Sequence, residues 1–167
     1  MPKPADKVLE VKKLRVTFRT LDGEVEAVKG IDIEVKGGET VAIVGESGSG
    51  KSQTMMAAMR LLASNGEATG AVDYRGSNLL ELSKAELNKV RGARISMIFQ
   101  EPMTSLDPLY TIGNQLMEPI MRHQKLGKTA ARAEALRLLN LVKIPDPERR
   151  LKSYPHEMSG GQRQRVM

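Results

Sequence analysis

Cysteine is absent from the 167 residues, so neither a disulfide framework nor a thiolate metal site can form. That composition fits a reducing compartment. Aromatic residues are scarce, at 3% with no Trp, and no Lys/Arg block interleaves with them. A stacking platform for nucleic acid is therefore not expected, despite a formal net charge of +6. Long apolar runs are missing too. The longest, Met55 to Ala63, is interrupted by Arg60 and falls far short of the roughly 20 residues of a membrane span. Met1 to Lys13 is polar and lacks the apolar segment of a signal peptide. The expectation is a soluble chain with one or two compact units.

The positive charge is partly local. Residues 122–137 hold Arg122, Lys125, Lys128, Arg132 and Arg137 against Glu134, a surplus of four. Such a run ordinarily forms a solvated helix face; contact with a partner or with anionic lipid headgroups is the alternative. The ten methionines sit mostly in apolar helical or strand patterns and read as core filler.

What is present in abundance is phosphate chemistry. Residues 45–52 read Gly-Glu-Ser-Gly-Ser-Gly-Lys-Ser, a complete G-x-x-x-x-G-K-[ST] loop. Thr40 to Val44 before it is short, apolar and β-branched, as expected of a strand buried on both faces. Gln53 to Leu62 after it is rich in Met, Ala and Leu and suits a helix. Gly45, Gly48 and Gly50 let successive N–H groups, with those of Glu46, Ser47 and Ser49, line one concavity. These donors meet a helix N-terminus, which favours an anion. Lys51 reaches the terminal phosphates of a nucleotide, and the Ser52 hydroxyl can ligate magnesium. A glycine-rich turn with a solvated lysine is the bland alternative, and the strand–loop–helix context weighs against it.

The opening third reads as antiparallel strands. Leu14, Val16 and Phe18 alternate with polar residues, as do Ile31, Ile33 and Val35, and Asp22-Gly23 marks a hairpin. Gly37-Gly38 turns the chain toward the loop strand. Asn65-Gly66 and Gly70 break it before a strand at Val72 to Tyr74. Ser83-Lys84-Ala85-Glu86 is a capping box opening a helix to about Arg91, and Ile95 to Phe99 is a further short strand. Beyond Gln100, Pro102, Pro108, Gly113 and Pro119 punctuate a loop and a short helix. A longer helix follows from Thr129 to Val142, then a turn-rich stretch with Pro145, Pro147 and Pro155. The expected division is a sheet-based core over residues 1–99, a helical subdomain over 100–158, and a final motif over 159–167.

That motif is Met158-Ser159-Gly160-Gly161-Gln162-Arg163-Gln164-Arg165. Ser159 is a good N-cap, the glycines permit close backbone approach, and Gln162 continues as a helix. It is a second helix N-terminus suited to an anion.

Together these residues resemble the ATP-binding subunits of ABC transporters, whose signature is Leu-Ser-Gly-Gly-Gln; only Met158 departs from it. The resemblance implies an α/β fold: a P-loop NTPase core with a mixed sheet and antiparallel N-terminal strands, plus a helical subdomain. It implies that ATP and Mg2+ are bound, and that Gln100 contacts magnesium and the attacking water. It implies that Phe18 stacks on adenine, although an ordinary core phenylalanine fits the same position. Ser159, Gly160, Gly161 and Gln162 would act on ATP held by a second ATP-binding subunit. Residues 45–52, 99–108 and 154–161 look most like the oligopeptide and dipeptide importers, in which the positions of Glu101 and Asp107 are often Asp and Asn. His156 is as readily a hydrogen-bonded loop residue as a functional one.

The implied partners are transmembrane permease subunits, a second ATP-binding subunit and, indirectly, a peptide-binding protein, with no nucleic acid. The implied place is the cytoplasmic face of the inner membrane. No apolar strand ending in Asp-Glu follows the signature, and His123 and His156 precede it and cannot replace the family's switch histidine. The expectation is an N-terminal fragment with the C-terminal part of the core missing. A nucleotide-binding module without turnover and a soluble ABC-type ATPase are the competing readings.

Overall fold

The computed structural model describes residues 6–99 and 105–167. The chain divides into two compact units, Met1–Lys89 and Val90–Met167.

The first unit is built on a long hairpin. β1 (Lys7–Thr20) and β2 (Gly23–Lys36) pair antiparallel, with Thr20 opposite Gly23 and Leu21-Asp22 as the turn. β3 (Gly66–Tyr74) pairs antiparallel with the other edge of β1, and β4 (Ser77–Asn78) with β3, giving the order β2-β1-β3-β4. Period-two alternation puts Leu14 and Val16 in the core with Val28 opposite Val16, and an irregularity between Val11 and Leu14 brings Val11 and its partner Val72 to the same face. Each such side chain contributes about 1.5–3 kcal/mol of transfer free energy. Charged residues of the sheet pair outside it, among them Lys7 with Glu10 and Glu34 at 2.9 and 2.6 Å.

β3 begins earlier than its composition suggests. Gly70 does not break the strand; it sits in a bulge at φ +103, where a Cβ would come within 2.6 Å of the Lys12 and Lys13 carbonyl oxygens. Close backbone approach, not chain breaking, is what requires glycine here. β1 kinks at the same level, where Lys13 takes φ 45 and donates its N–H to Asp32.

Two expected strands do not form. Residues 40–44 and 96–99 adopt no strand; the nearest feature is an isolated parallel bridge between Arg91 and Ile95. A β-branched run becomes a strand only when a neighbouring strand takes its N–H and C=O groups. Neither segment has such a neighbour among the described residues, and Val44 and Ile98 are 89% and 79% exposed. The described sheet is therefore wholly antiparallel.

α1 (Lys51–Ala58) packs on β1 and β2 through Thr54 and Ala57. It ends four residues before the expected Leu62. Arg60, at φ 51, and Leu61 return their N–H groups to Ala57 and Met56, a Schellman-type stop. α2 (Lys84–Val90) starts at the foreseen capping box, with reciprocal bonds between Ser83 and Glu86.

The second unit is helical. α3 (Ile112–Gln124), α4 (Lys128–Leu141), the single turn α5 (Pro147–Arg150) and α6 (Gly160–Val166) surround a core of Ile112, Leu139, Ile144, Leu151 and Met158. α3 is longer than expected and contains both Gly113 and Pro119. Gly113 is there for proximity: its N–H donates to Leu151, whose carbonyl oxygen would lie 2.6 Å from an added Cβ.

Candidate nucleotide-binding site

Residues 45–50 fold into a tight loop that delivers its last glycine to the start of α1. The Ser49 N–H donates to the Glu46 carbonyl at 3.2 Å. Gly48 has φ +81 and Gly50 φ +89, the left-handed region that favours glycine. Gly50 also lies against β2, where a Cβ would meet the Ala27 carbonyl oxygen at 2.5 Å and Val28 Cγ2 at 3.3 Å. Val28 pairs with Val16, two residues before Phe18, so the loop is anchored on the same hairpin that carries Phe18.

The α1 N-terminus is left open by its own sequence. Its N-cap is Gly50, with no side-chain cap and no acidic residue in the first turn. α3 and α6 differ: Thr111 and Ser159 each accept a bond from their own helix. The first N–H groups of α1 are thus available to an anion, reinforced by the helix dipole. Lys51 lies inside the loop, its Nζ donating to the Gly45 and Glu46 carbonyls at 2.7 Å each and to Ser49 Oγ at 3.2 Å. At Gly45 an added Cβ would sit 2.7 Å from Ser49 Oγ and displace that hydroxyl from its contact with Lys51. Glu46, Ser47 and Ser49 are exposed at the rim.

A triphosphate fits this arrangement: N–H donors, one ammonium and a positive helix end converge at an exposed loop. For magnesium, the exposed Ser52 hydroxyl in the first turn of α1 is a suitable oxygen ligand. No cluster of three His, Asp or Glu side chains among the described residues can hold an ion. Phosphate oxygens and water would complete its shell. Phe18 is half-buried on β1, its ring over Gly66, where a Cβ would approach Phe18 Cε1 to 2.6 Å. Gln100 and Glu101 lie outside the described residues.

In the second unit the signature forms a capped helix start. Ser159 Oγ accepts the Gln162 N–H at 3.3 Å and Gln162 Oε1 accepts the Ser159 N–H at 3.2 Å. Gly160 and Gly161 face open space, with nothing within 4 Å of an added Cβ. Met158 is buried in the helical core, so a thioether in place of leucine is a packing exchange. Tyr154 and His156 stack with centroids 5.7 Å apart. Asp107 accepts the Leu109 N–H at 2.8 Å, a bond an asparagine oxygen would make equally well.

Sequence reading missed the braces. Gln115 bonds the Asp107 N–H and the Asp107 and Tyr110 carbonyls, holding the loop before α3. Arg165 donates from α6 to the Val142 and Lys143 carbonyls at the end of α4. A polar residue on a helix face gives no sequence signal of such long-range bonds.

Residues 28–167, which contain both the loop and the signature, match the family described as ABC transporter. The chain belongs to that family. It is 53% identical over 166 residues to the oligopeptide transport ATP-binding protein OppD of Salmonella typhimurium, covering 99% of this chain and 50% of that protein. It is 51% identical over 164 residues to the dipeptide transport ATP-binding protein DppD of Bacillus subtilis, covering 97% and 49%. The chain thus spans about half the length of the curated relatives it matches. Among solved structures it is similar to the dimeric structure of MJ0796, a bacterial ABC transporter cassette, with 27% identity and a TM-score of 0.80 over 95% of this chain and 66% of that one. A post-hydrolysis state of the same ATP-binding cassette, bound to ADP and Pi, gives a TM-score of 0.81 at 28% identity with the same coverage. The ABC member described here has the α/β P-loop fold of that family, in part. Among its described residues no helix is long and apolar enough to cross a membrane.

Proposed function

We propose that this ABC family member is the nucleotide-binding portion of an ATP-hydrolysing subunit that energises peptide import. The observation that carries the reading is the 45–52 loop: an uncapped helix start with Lys51 enclosed by loop carbonyls. Identity near 50% to oligopeptide and dipeptide transport ATP-binding proteins supports the peptide substrate. Gly45, Glu46, Ser47, Gly48, Ser49 and Gly50 cradle the phosphates, Lys51 holds the terminal ones, and Ser52 with Gln100 ligates magnesium. Bound magnesium would neutralise charge on the phosphates as the terminal one leaves. Phe18 stacks on adenine.

Ser159, Gly160, Gly161 and Gln162 meet the γ-phosphate of ATP held by a second, homologous or identical subunit. The pair works with transmembrane permease subunits at the cytoplasmic face of the membrane, and a peptide-binding protein supplies the cargo. Gly161 faces open space, so Gly161→Asp adds a negative side chain at the approach surface without a clash inside its own unit. In the full-length protein it should leave ATP binding by one subunit intact while abolishing ATP-driven pairing and turnover. If it weakened binding by the lone subunit as much as Lys51→Ala does, the signature would serve its own nucleotide and the pairing scheme would fail.

A further inference from the structure

Charge is divided unevenly between the two units. Residues 1–89 hold 13 Lys/Arg and 13 Asp/Glu, and residues 90–167 hold 13 and 7, so the whole surplus of +6 falls in the second. In the first unit Lys7, Lys12, Arg15, Arg19 and Lys36 each pair with a glutamate. In the second, Arg137 with Glu134 is the one ion pair among the described residues. The surplus peaks where α3 turns into α4. Between Glu118 and Glu134 lie Arg122, Lys125, Lys128 and Arg132 and no carboxylate. All four are exposed, and none pairs with a carboxylate among the described residues.

The helices' own electrostatics accounts for only half of this. Arg122 and Lys125 lie at the C-terminal end of α3, where orphan carbonyls favour cations. Lys128 and Arg132 occupy the first turns of α4, where the dipole opposes them and their i,i+4 spacing sets like charges together. The N-cap there is Gly127, with no side-chain cap and no acidic residue in the first turn. Each of these choices works against α4 in isolation. A negatively charged surface outside the protein reverses their sign.

We propose that the basic tip of the α3–α4 hairpin docks on a membrane surface rich in anionic lipid headgroups. The inference rests on the reading above that places the protein at a membrane. Two features select lipid over nucleic acid. No Phe, Tyr or Trp occurs from Thr111 to Ser153, so beyond the single imidazole of His123 there is no run of rings on which successive bases could stack. Met121 is 37% exposed beside Arg122, while Leu126 in the turn packs against the helical core and anchors the tip. An apolar contact beneath phosphate-bound cations is the arrangement of a basic interfacial helix.

The test is co-sedimentation of the chain with phosphatidylcholine vesicles, with and without a phosphatidylglycerol fraction. Each cation near such a surface is worth about fivefold in partition. Arg122→Gln with Lys128→Gln should lower binding to the anionic vesicles about 25-fold. Arg149→Gln with Lys152→Gln removes the same charge from exposed positions elsewhere in the unit and should cost less than about twofold. Lys125→Gly relieves a residue at φ 55, so it should raise the thermal midpoint while lowering partition about fivefold; a purely structural role would not separate the two. The proposal is overturned if both vesicle types bind equally, if the two double variants lose binding equally, or if duplex DNA retains the chain more tightly than the anionic vesicles do. Magnesium-ATP affinity measured on the same preparations reports on the nucleotide site alone, so either reading can fail without the other.

Discussion

Replacing Gly50 with alanine separates two demands that the loop makes on that position. The first is conformational: at φ +89 an L-residue carries about 1–2 kcal/mol of strain. The second is steric, because the new Cβ would lie 2.5 Å from the Ala27 carbonyl oxygen, a backbone atom of β2 that cannot rotate away. Gly48 provides the control. It has φ +81 but nothing within 4 Å of an added Cβ, so Gly48→Ala meets the conformational demand alone. Gly48→Ala should therefore destabilise the chain by about 1–2 kcal/mol. Gly50→Ala should cost about 2–5 kcal/mol, with overpacking adding about 1–3 kcal/mol to the strain. Denaturant melts followed by circular dichroism measure both. Since Gly50 sets the start of α1, magnesium-ATP affinity by calorimetry should fall with it at least tenfold, about 1.4 kcal/mol. Equal losses of stability for the two variants would show that the contact with β2 does not hold the loop.

Two further outcomes follow from the same structure. The 167-residue chain should release phosphate from ATP no faster than background, because general-base catalysis is typically worth about 10²–10⁴-fold and the Asp-Glu strand implied by the family resemblance is not among these residues; steady release lost with Lys51→Ala would contradict this. Lys12 and then Lys7 hold Glu10 below the ordinary carboxylate value of 4.5, and Lys7 does the same to Glu34. Depressed carboxylates stabilise the fold above their unfolded values and lose that contribution as pH falls through the lower folded ones. The thermal midpoint should therefore drop on acidification below pH 4.5 and drop less in a Glu10→Gln, Glu34→Gln variant; an unchanged drop would remove these pairs from the balance.

Local signals carried most of the reading. The Ser83 capping box, the Ser159 N-cap, the Asp22-Gly23 hairpin and the glycines of the loop each depend on a few adjacent residues, and each appears where sequence places it. What failed depends on distant backbone. Thr40 to Val44 and Ile95 to Phe99 have strand composition, but a strand needs a partner that no local pattern supplies. Gly70 and Gly113 look like breakers and instead admit the Lys12–Lys13 and Leu151 backbones. Pro119 reads as punctuation, yet it lies two turns inside α3, and the helix continues past it with Ile112, Met117 and Ile120 packed in the core. The site divides the same way: the loop and the signature were legible as motifs, while the Gln115 and Arg165 braces were not.

The central claim is that residues 45–52 bind the phosphates of magnesium-ATP through Lys51. The ammonium is held inside the loop by the Gly45 and Glu46 carbonyls at 2.7 Å and by Ser49 Oγ at 3.2 Å, and one charge-assisted bond from it to a phosphate oxygen would contribute about 1.5–3 kcal/mol. Calorimetric titration of Lys51→Ala in the full-length protein should show magnesium-ATP affinity reduced roughly 10- to 150-fold, with the far-ultraviolet dichroism spectrum unchanged. Wild-type affinity in a folded Lys51→Ala protein would remove Lys51 from the site and with it the assignment of the loop.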